Sequence, residues 1–186
     1  MEKKVNYNKR FISFILAMLS GITAIASAVA ALVINWGILV SNTGTLSSNI
    51  YNSLLNVYGY LNVTVNTSQV LQYAQNLATV ESYLQQGLFV FIPLMIIAGA
   101  FMIVSAMFIK SKNKERERMG TIYTVIFSIL TLIGFMVYLV LNPTAFIALF
   151  SYLGSGGSTA YLVYGLFMSY IILGVLSTIV KLTDKE

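Results

Sequence analysis

The stretch GLFVFIPLMIIAGAFMIVSAMFI (Gly87–Ile109), KSKNKERERM (Lys110–Met119), GTIYTVIFSILTLIGFMVYLVL (Gly120–Leu141) decides the fold. Two apolar runs flank a short hydrophilic loop. Each run is about as long as the roughly 20 residues that a helix needs to cross a bilayer. Neither contains Asp, Glu, Lys, Arg or His. A charged side chain at a helix centre costs about 2.5–3.5 kcal/mol on insertion scales, so such runs are what a lipid surround selects. Asn142-Pro143 ends the second run, because the residue before a proline disfavours the helical region.

The same pattern extends outward. From Phe11 through Ile109 the only charged residue is Glu81, and from Gly120 through Val180 there is none. This places two further crossings at residues 11–40 and 160–180. The chain of 186 residues is 58% hydrophobic and 9% charged, against about 25% charged in soluble domains. Residues 11–40 also read as a signal peptide, with Lys3, Lys4, Lys9 and Arg10 in front and small-residue sites near Ala26 and Ala28. The apolar stretch continues well past those sites to Val40, which favours an uncleaved anchor.

Orientation follows from Lys and Arg. All 11 lie before the first crossing, in the 110–119 loop or after the fourth crossing. These places share one side of a four-crossing chain. The positive-inside rule makes that side cytoplasmic, so residues 1–10, 110–119 and 181–186 are cytoplasmic and residues 41–86 and 142–159 lie outside. The expected localisation is a cell membrane or virion membrane. The basic clusters suit attraction to anionic lipid headgroups, and no nucleic-acid partner is expected.

The first outer segment has its own periodicity. Leu46, Ile50, Leu54, Val57 and Leu61 recur at helical spacing, as do Val70, Leu77 and Leu84. Turn and capping residues separate the two sets, and Thr67 or Ser68 can cap the second helix. The reading is a helical hairpin outside the membrane, continuing the first crossing outward and leading into the second. A β-rich loop, favoured locally by Val63 and Val65, is the alternative. In the second outer segment, Asn142 and Pro143 open a short interfacial or re-entrant helix, Gly154 ends it, and Gly154–Ser158 supplies a flexible link. The fold class is all-α: an integral membrane four-helix bundle with a helical extracytoplasmic hairpin between the first two crossings.

Several features carry candidate roles. Ala17, Gly21, Ala24, Ala28 and Ala31 form a seam of small residues on one face, suited to close helix packing within the bundle or between subunits. Thr124, Ser128 and Thr131 form a hydroxyl line with Gly120, which packs, bonds back to the preceding turn, or lines a pathway. Pro93 should kink the second crossing. Asn62-Val-Thr64 and Asn66-Thr-Ser68 match the glycosylation sequon and lie on the outer side. Trp36, Tyr138, Tyr161 and Tyr164 fit an interfacial aromatic belt.

The topology resembles that of tetraspan proteins such as claudins and tetraspanins, and Asn35-Trp36-Gly37-Ile38-Leu39 is similar to the start of a claudin outer loop. The cysteines of those families are absent, so no functional residue is carried over. With neither cysteine nor histidine, thiolate chemistry, disulfides, the usual zinc sites and histidine acid-base catalysis are excluded. Glu81 stands alone outside, with no second carboxylate for acid-base work. No phosphate-binding glycine loop and no paired nucleophile are present. The expectation is a non-enzymatic protein without cofactor or metal. It would be a structural or assembly subunit whose partners are the bilayer and other membrane-protein subunits or further copies. A channel or transporter component for a neutral or apolar solute is the alternative. The outer surface, built from Asn, Gln, Ser, Thr and Tyr with one carboxylate, changes little in charge in acid, which would suit an archaeal or viral protein from an acidic setting.

Overall fold

The computed structural model describes residues 2–61, 64, 66–155 and 157–183, which form helices α1 Glu2–Ile34, α2 Trp36–Val40, α3 Thr43–Tyr60, α4 Thr67–Lys110, α5 Lys114–Leu141, α6 Pro143–Ser155 and α7 Gly157–Leu182. Among the described residues there is no strand. Four helices are long and apolar enough to cross a membrane: α1 from Lys9, α4, α5 to Tyr138, and α7 from Tyr161.

The bundle is built around α1, which packs against α4 and α7, while α5 closes the far side of α4 and touches α7. Every buried residue in the described part of α1 up to Ile34 is Ser, Ala or Gly: Ser13, Ala17, Ser20, Gly21, Ala24, Ser27, Ala28 and Ala31. Ile15, Leu19, Ile22, Val29 and Val33 face outward, whereas Phe14, Met18, Leu32 and Ile34 are half-buried against the core. The five seam residues expected to pack closely thus all lie in the interior. Small residues let backbones approach, and the structure uses that between Gly21 and Gly99. A Cβ at Gly21 would stand 2.7 Å from the Gly99 carbonyl oxygen, and a Cβ at Gly99 would stand 2.7 Å from that of Gly21. A second close approach joins α4 to α5, where a Cβ at Gly120 would lie 2.6 Å from the Ile109 nitrogen.

The other half of the core is large and aromatic. Phe91, Phe135 and Phe167, from α4, α5 and α7, form a triangle of rings with centroids 5.5–5.9 Å apart. Leu88, Met95 and Met102 fill the space along α4, each fully buried. Phe101 stacks on Phe127 at 4.2 Å, holding α4 to α5. Aromatic pairs of this kind add about 0.5–1.5 kcal/mol beyond their buried area.

Several boundaries differ from the sequence reading. Residues 11–40 are not one helix. The chain breaks at Asn35, whose buried side chain donates from Nδ2 to the Ala31 carbonyl at 2.9 Å, and restarts as α2. Ser41 and Asn42 are then extended, so α3 is a separate helix rather than a continuation of the first crossing. Asn42 caps α3, accepting from the Thr45 backbone N–H at 2.8 Å. In the same way Asn66, not Thr67 or Ser68, caps α4, accepting from the Ser68 N–H at 3.1 Å. Asparagine satisfies a free donor of a first turn as serine or threonine does, and here it stands one residue earlier. The glycine-serine stretch from Gly154 is not a link: Gly154 and Ser155 complete α6, and Gly157 and Ser158 begin α7.

Helix α4 has 44 residues, so it is roughly 66 Å long at about 1.5 Å per residue. A hydrocarbon core is only about 30 Å thick. The half from Thr67 to Gln86 carries Gln69, Gln72, Gln75, Asn76, Glu81, Gln85 and Gln86, and α3 packs on it. The half from Gly87 is apolar and packs in the bundle. Pro93 lies inside α4, exposed, and the helix continues through it. Helix α6 packs on α4, α7 and α5, with Ala145 and Leu149 fully buried against Gly87.

Candidate functional site

Three polar constellations organise the molecule. The first is a ladder between α1 and α7. Ser13, Ser20 and Ser27 recur every seven residues and are fully buried. Ser20 donates to the Tyr170 carbonyl at 2.8 Å, and Ser27 donates to that of Val163 at 3.1 Å. Ser13 and Ser177 are bonded reciprocally: Ser13 Oγ lies 3.0 Å from the Ser177 carbonyl, and Ser177 Oγ donates to the Ser13 carbonyl at 2.8 Å. Each step of seven up α1 matches a step of seven down α7, as an antiparallel helix pair in constant register requires. The seven-residue serine spacing was visible in the sequence. Alanine and glycine outnumber serine on the same helix and mask that signal.

The second constellation contains the hydroxyl line of α5. Thr124 donates to the Gly120 carbonyl, Ser128 to that of Thr124 and Thr131 to that of Phe127, at 2.8–3.0 Å. Thr131 Oγ1 also lies 2.9 Å from the hydroxyl of Tyr170, itself buried. These groups therefore bond back into their own helix, and Thr131 meets a tyrosine that fills the interior. Ser128, Ser20 and Met102 surround Gly174, where α1, α4, α5 and α7 converge.

The third lies at the end of the bundle that carries the basic residues. Glu117, in the first turn of α5, pairs with Arg10 of α1 at 3.4 Å and with Lys181 of α7. Arg10 also donates from Nε to the carbonyl of Ile109, near the end of α4, at 2.9 Å. Lys9 donates to the Thr183 carbonyl at 2.8 Å, and Lys110 stands over the Phe14 ring. One carboxylate and one guanidinium thus tie all four long helices together. The sequence had suggested only topology and headgroup attraction for these charges. Pairings between residues so far apart in the chain leave no local signal.

At the opposite end, α2, α3 and α4 line an open surface cleft of about 500 Å³. Gln85 Nε2 locks this region, lying 2.8–3.1 Å from the carbonyls of Ile38, Leu39 and Ser41 and so satisfying the open C-terminal end of α2. Glu81 stands on the cleft wall one turn before Gln85, and among the described residues it has no hydrogen bond or ion pair. Partial burial pushes its carboxyl above the ordinary carboxylate value.

The remaining sequence candidates are dispersed. Trp36 and Tyr161 are exposed near this end, whereas Tyr138 is 8% exposed and faces the core, so it does not join an outward belt. The Asn66 side-chain oxygen is occupied by the cap, and among the described residues its amide nitrogen makes no hydrogen bond. Asn62 lies outside the described residues. Among the described residues, no three His, Cys, Asp or Glu side chains cluster as a metal site would need. No protein-family model, curated protein or solved structure matches the chain.

Proposed function

We propose that this chain is a non-enzymatic multi-pass membrane protein, a structural or assembly subunit of a membrane complex, cell envelope or virion membrane. One observation carries the reading: the distribution of side chains in α1 is inverted relative to a water-soluble helix. The fully buried positions are serine, alanine and glycine, and the exposed positions are isoleucine, leucine, valine and phenylalanine. In water this arrangement would forfeit the hydrophobic gain of burying large side chains. In lipid it lets helices approach closely and satisfies their hydroxyls against neighbouring backbone.

The gathering of Arg10, Lys110, Glu117 and Lys181 at one end supports a common cytoplasmic side for both termini and the 110–119 loop. On that orientation α3 and the first half of α4 are a helical hairpin rising outside the membrane. Its surface supplies partner contacts, and Asn66 is the candidate glycosylation site within it, through its amide nitrogen. Transport of a neutral or apolar solute has weaker support, because the hydroxyls of Thr124, Ser128 and Thr131 are engaged in bonds to their own helix.

Isolation from the native membrane in lipid nanodiscs tests the role. The expected result is a fixed-stoichiometry assembly with other membrane proteins or with further copies. A monodisperse monomer to which crosslinking adds nothing refutes it. Solute flux in liposomes that disappears in a Thr124→Ala, Ser128→Ala double variant would favour the transport reading instead.

A further inference from the structure

We propose that the cleft between α2, α3 and α4 binds an organic ammonium group carrying a short alkyl chain, with Glu81 as its counter-ion. The site is independent of the assembly role and rests on three observations. The cleft has a volume of about 500 Å³, within the range of about 300–1,000 Å³ typical of small-molecule sites. Its walls are mainly apolar, contributed by Ile38, Ile50, Leu54 and Val57, with Ser53 and Glu81 among the polar groups. Among the described residues lining it, Glu81 is the only ionisable one.

The charge pattern of the chain selects the ligand. Between Phe11 and Ile109 there is no Lys or Arg, and residues 142–159 contain none either. The sequence therefore places no Lys or Arg of the chain at this end, and among the described residues the carboxylate has no hydrogen bond or ion pair. A partly buried carboxylate left in this way is poorly compensated, and burial accordingly favours its protonated form. An anionic ligand would be repelled. A neutral apolar ligand would fill the walls and desolvate the carboxylate further. A metal ion would find one carboxylate where several ligands are needed. An ammonium group donates charge-assisted hydrogen bonds to the carboxylate while its alkyl chain covers the apolar wall.

Trp36, the single tryptophan, adjoins Gly37 of the cleft and supplies the readout. The full chain in nanodiscs of zwitterionic lipid is titrated near neutral pH with n-hexylammonium, n-hexanol and hexanoate, following Trp36 emission and calorimetry. The expected result is saturable binding of hexylammonium, weaker by about tenfold or more in Glu81→Gln, whose neutral amide forms no ion pair. Hexanol should bind comparably weakly and hexanoate not at all. Ser53→Phe, which fills the cleft and leaves Glu81 in place, should also abolish binding. An absence of saturable binding, equal affinity in Glu81→Gln, or hexanol binding as tightly as hexylammonium overturns the proposal. A carbodiimide crosslink in native membranes then identifies the source: an amide from Glu81 to a lysine of a neighbouring chain, or to a free amine.

Discussion

Replacing glycine by alanine should have opposite effects at two positions in the bundle. At Gly165, inside α7 and exposed, an added Cβ meets nothing within 4 Å. There the substitution should stabilise by about 0.5–1 kcal/mol, the difference in helix propensity. At Gly21 the same Cβ meets the Gly99 carbonyl oxygen and Ile103 Cγ1 at 2.7 Å and the Ile103 nitrogen at 3.1 Å. Ile103 Cγ1 can rotate away, but two of the three atoms are backbone, so α1 and α4 must separate by a few tenths of an ångström. Overpacking of that kind costs about 1–3 kcal/mol, which outweighs the propensity gain and leaves a net loss of about 0–2 kcal/mol. Gly99→Ala should behave likewise, since its Cβ meets the Gly21 carbonyl oxygen at 2.7 Å and Ile25 Cγ1 at 2.6 Å. The double variant should lose less than the two singles added together, because the first substitution already opens the crossing. Reversible unfolding in mixed micelles, followed by circular dichroism, measures all four variants. Equal stabilisation at Gly21 and Gly165, or strict additivity of Gly21 and Gly99, would refute the close crossing.

Further outcomes follow from the polar constellations. Ser20→Ala should destabilise the bundle by about 0.5–1.5 kcal/mol, and Thr23→Ala, whose hydroxyl bonds within its own helix, should have a smaller effect in the same unfolding assay. Glu117→Gln should destabilise by about 1–2 kcal/mol, because Arg10 and Lys181 then converge without their carboxylate; the loss should shrink in high salt. For Glu81 the folded state binds the proton more tightly than the unfolded chain does. Its contribution is therefore present below the ordinary value of 4.5 and is lost as pH rises through the raised value. Glu81→Gln should thus be more stable than the parent at neutral pH and equal to it in acid. A midpoint difference independent of pH would contradict this assignment.

The long apolar runs and their charge-free interiors are decisive in the sequence, because length and hydropathy belong to each helix separately and leave a local record. The four long helices and the all-helical class follow from them. The opening of α6 at Pro143 was also local, since the backbone demands of proline do not depend on distant partners. The break at Asn35 was not legible, because Trp36–Val40 reads as a continuation of the same apolar run. Only the packing of α2 on α4, locked by Gln85, distinguishes it. Tyr138 shows the same limit: its position near a helix end suggested an outward belt, and helix rotation in the bundle decided its burial.

The sequence by itself determined which segments are helices, how many can cross a membrane and where the cations fall along the chain. Composition and period record these, for each segment answers to its own solvent. Tertiary structure decided which small residues face which neighbour, that Ser13, Ser20 and Ser27 read the backbone of α7, and that Glu117 joins Arg10 to Lys181. It also decided that Glu81 stands on the wall of a cleft. These are relations between helices whose relative rotation no single segment encodes. They arise when close packing fixes every helix face at once.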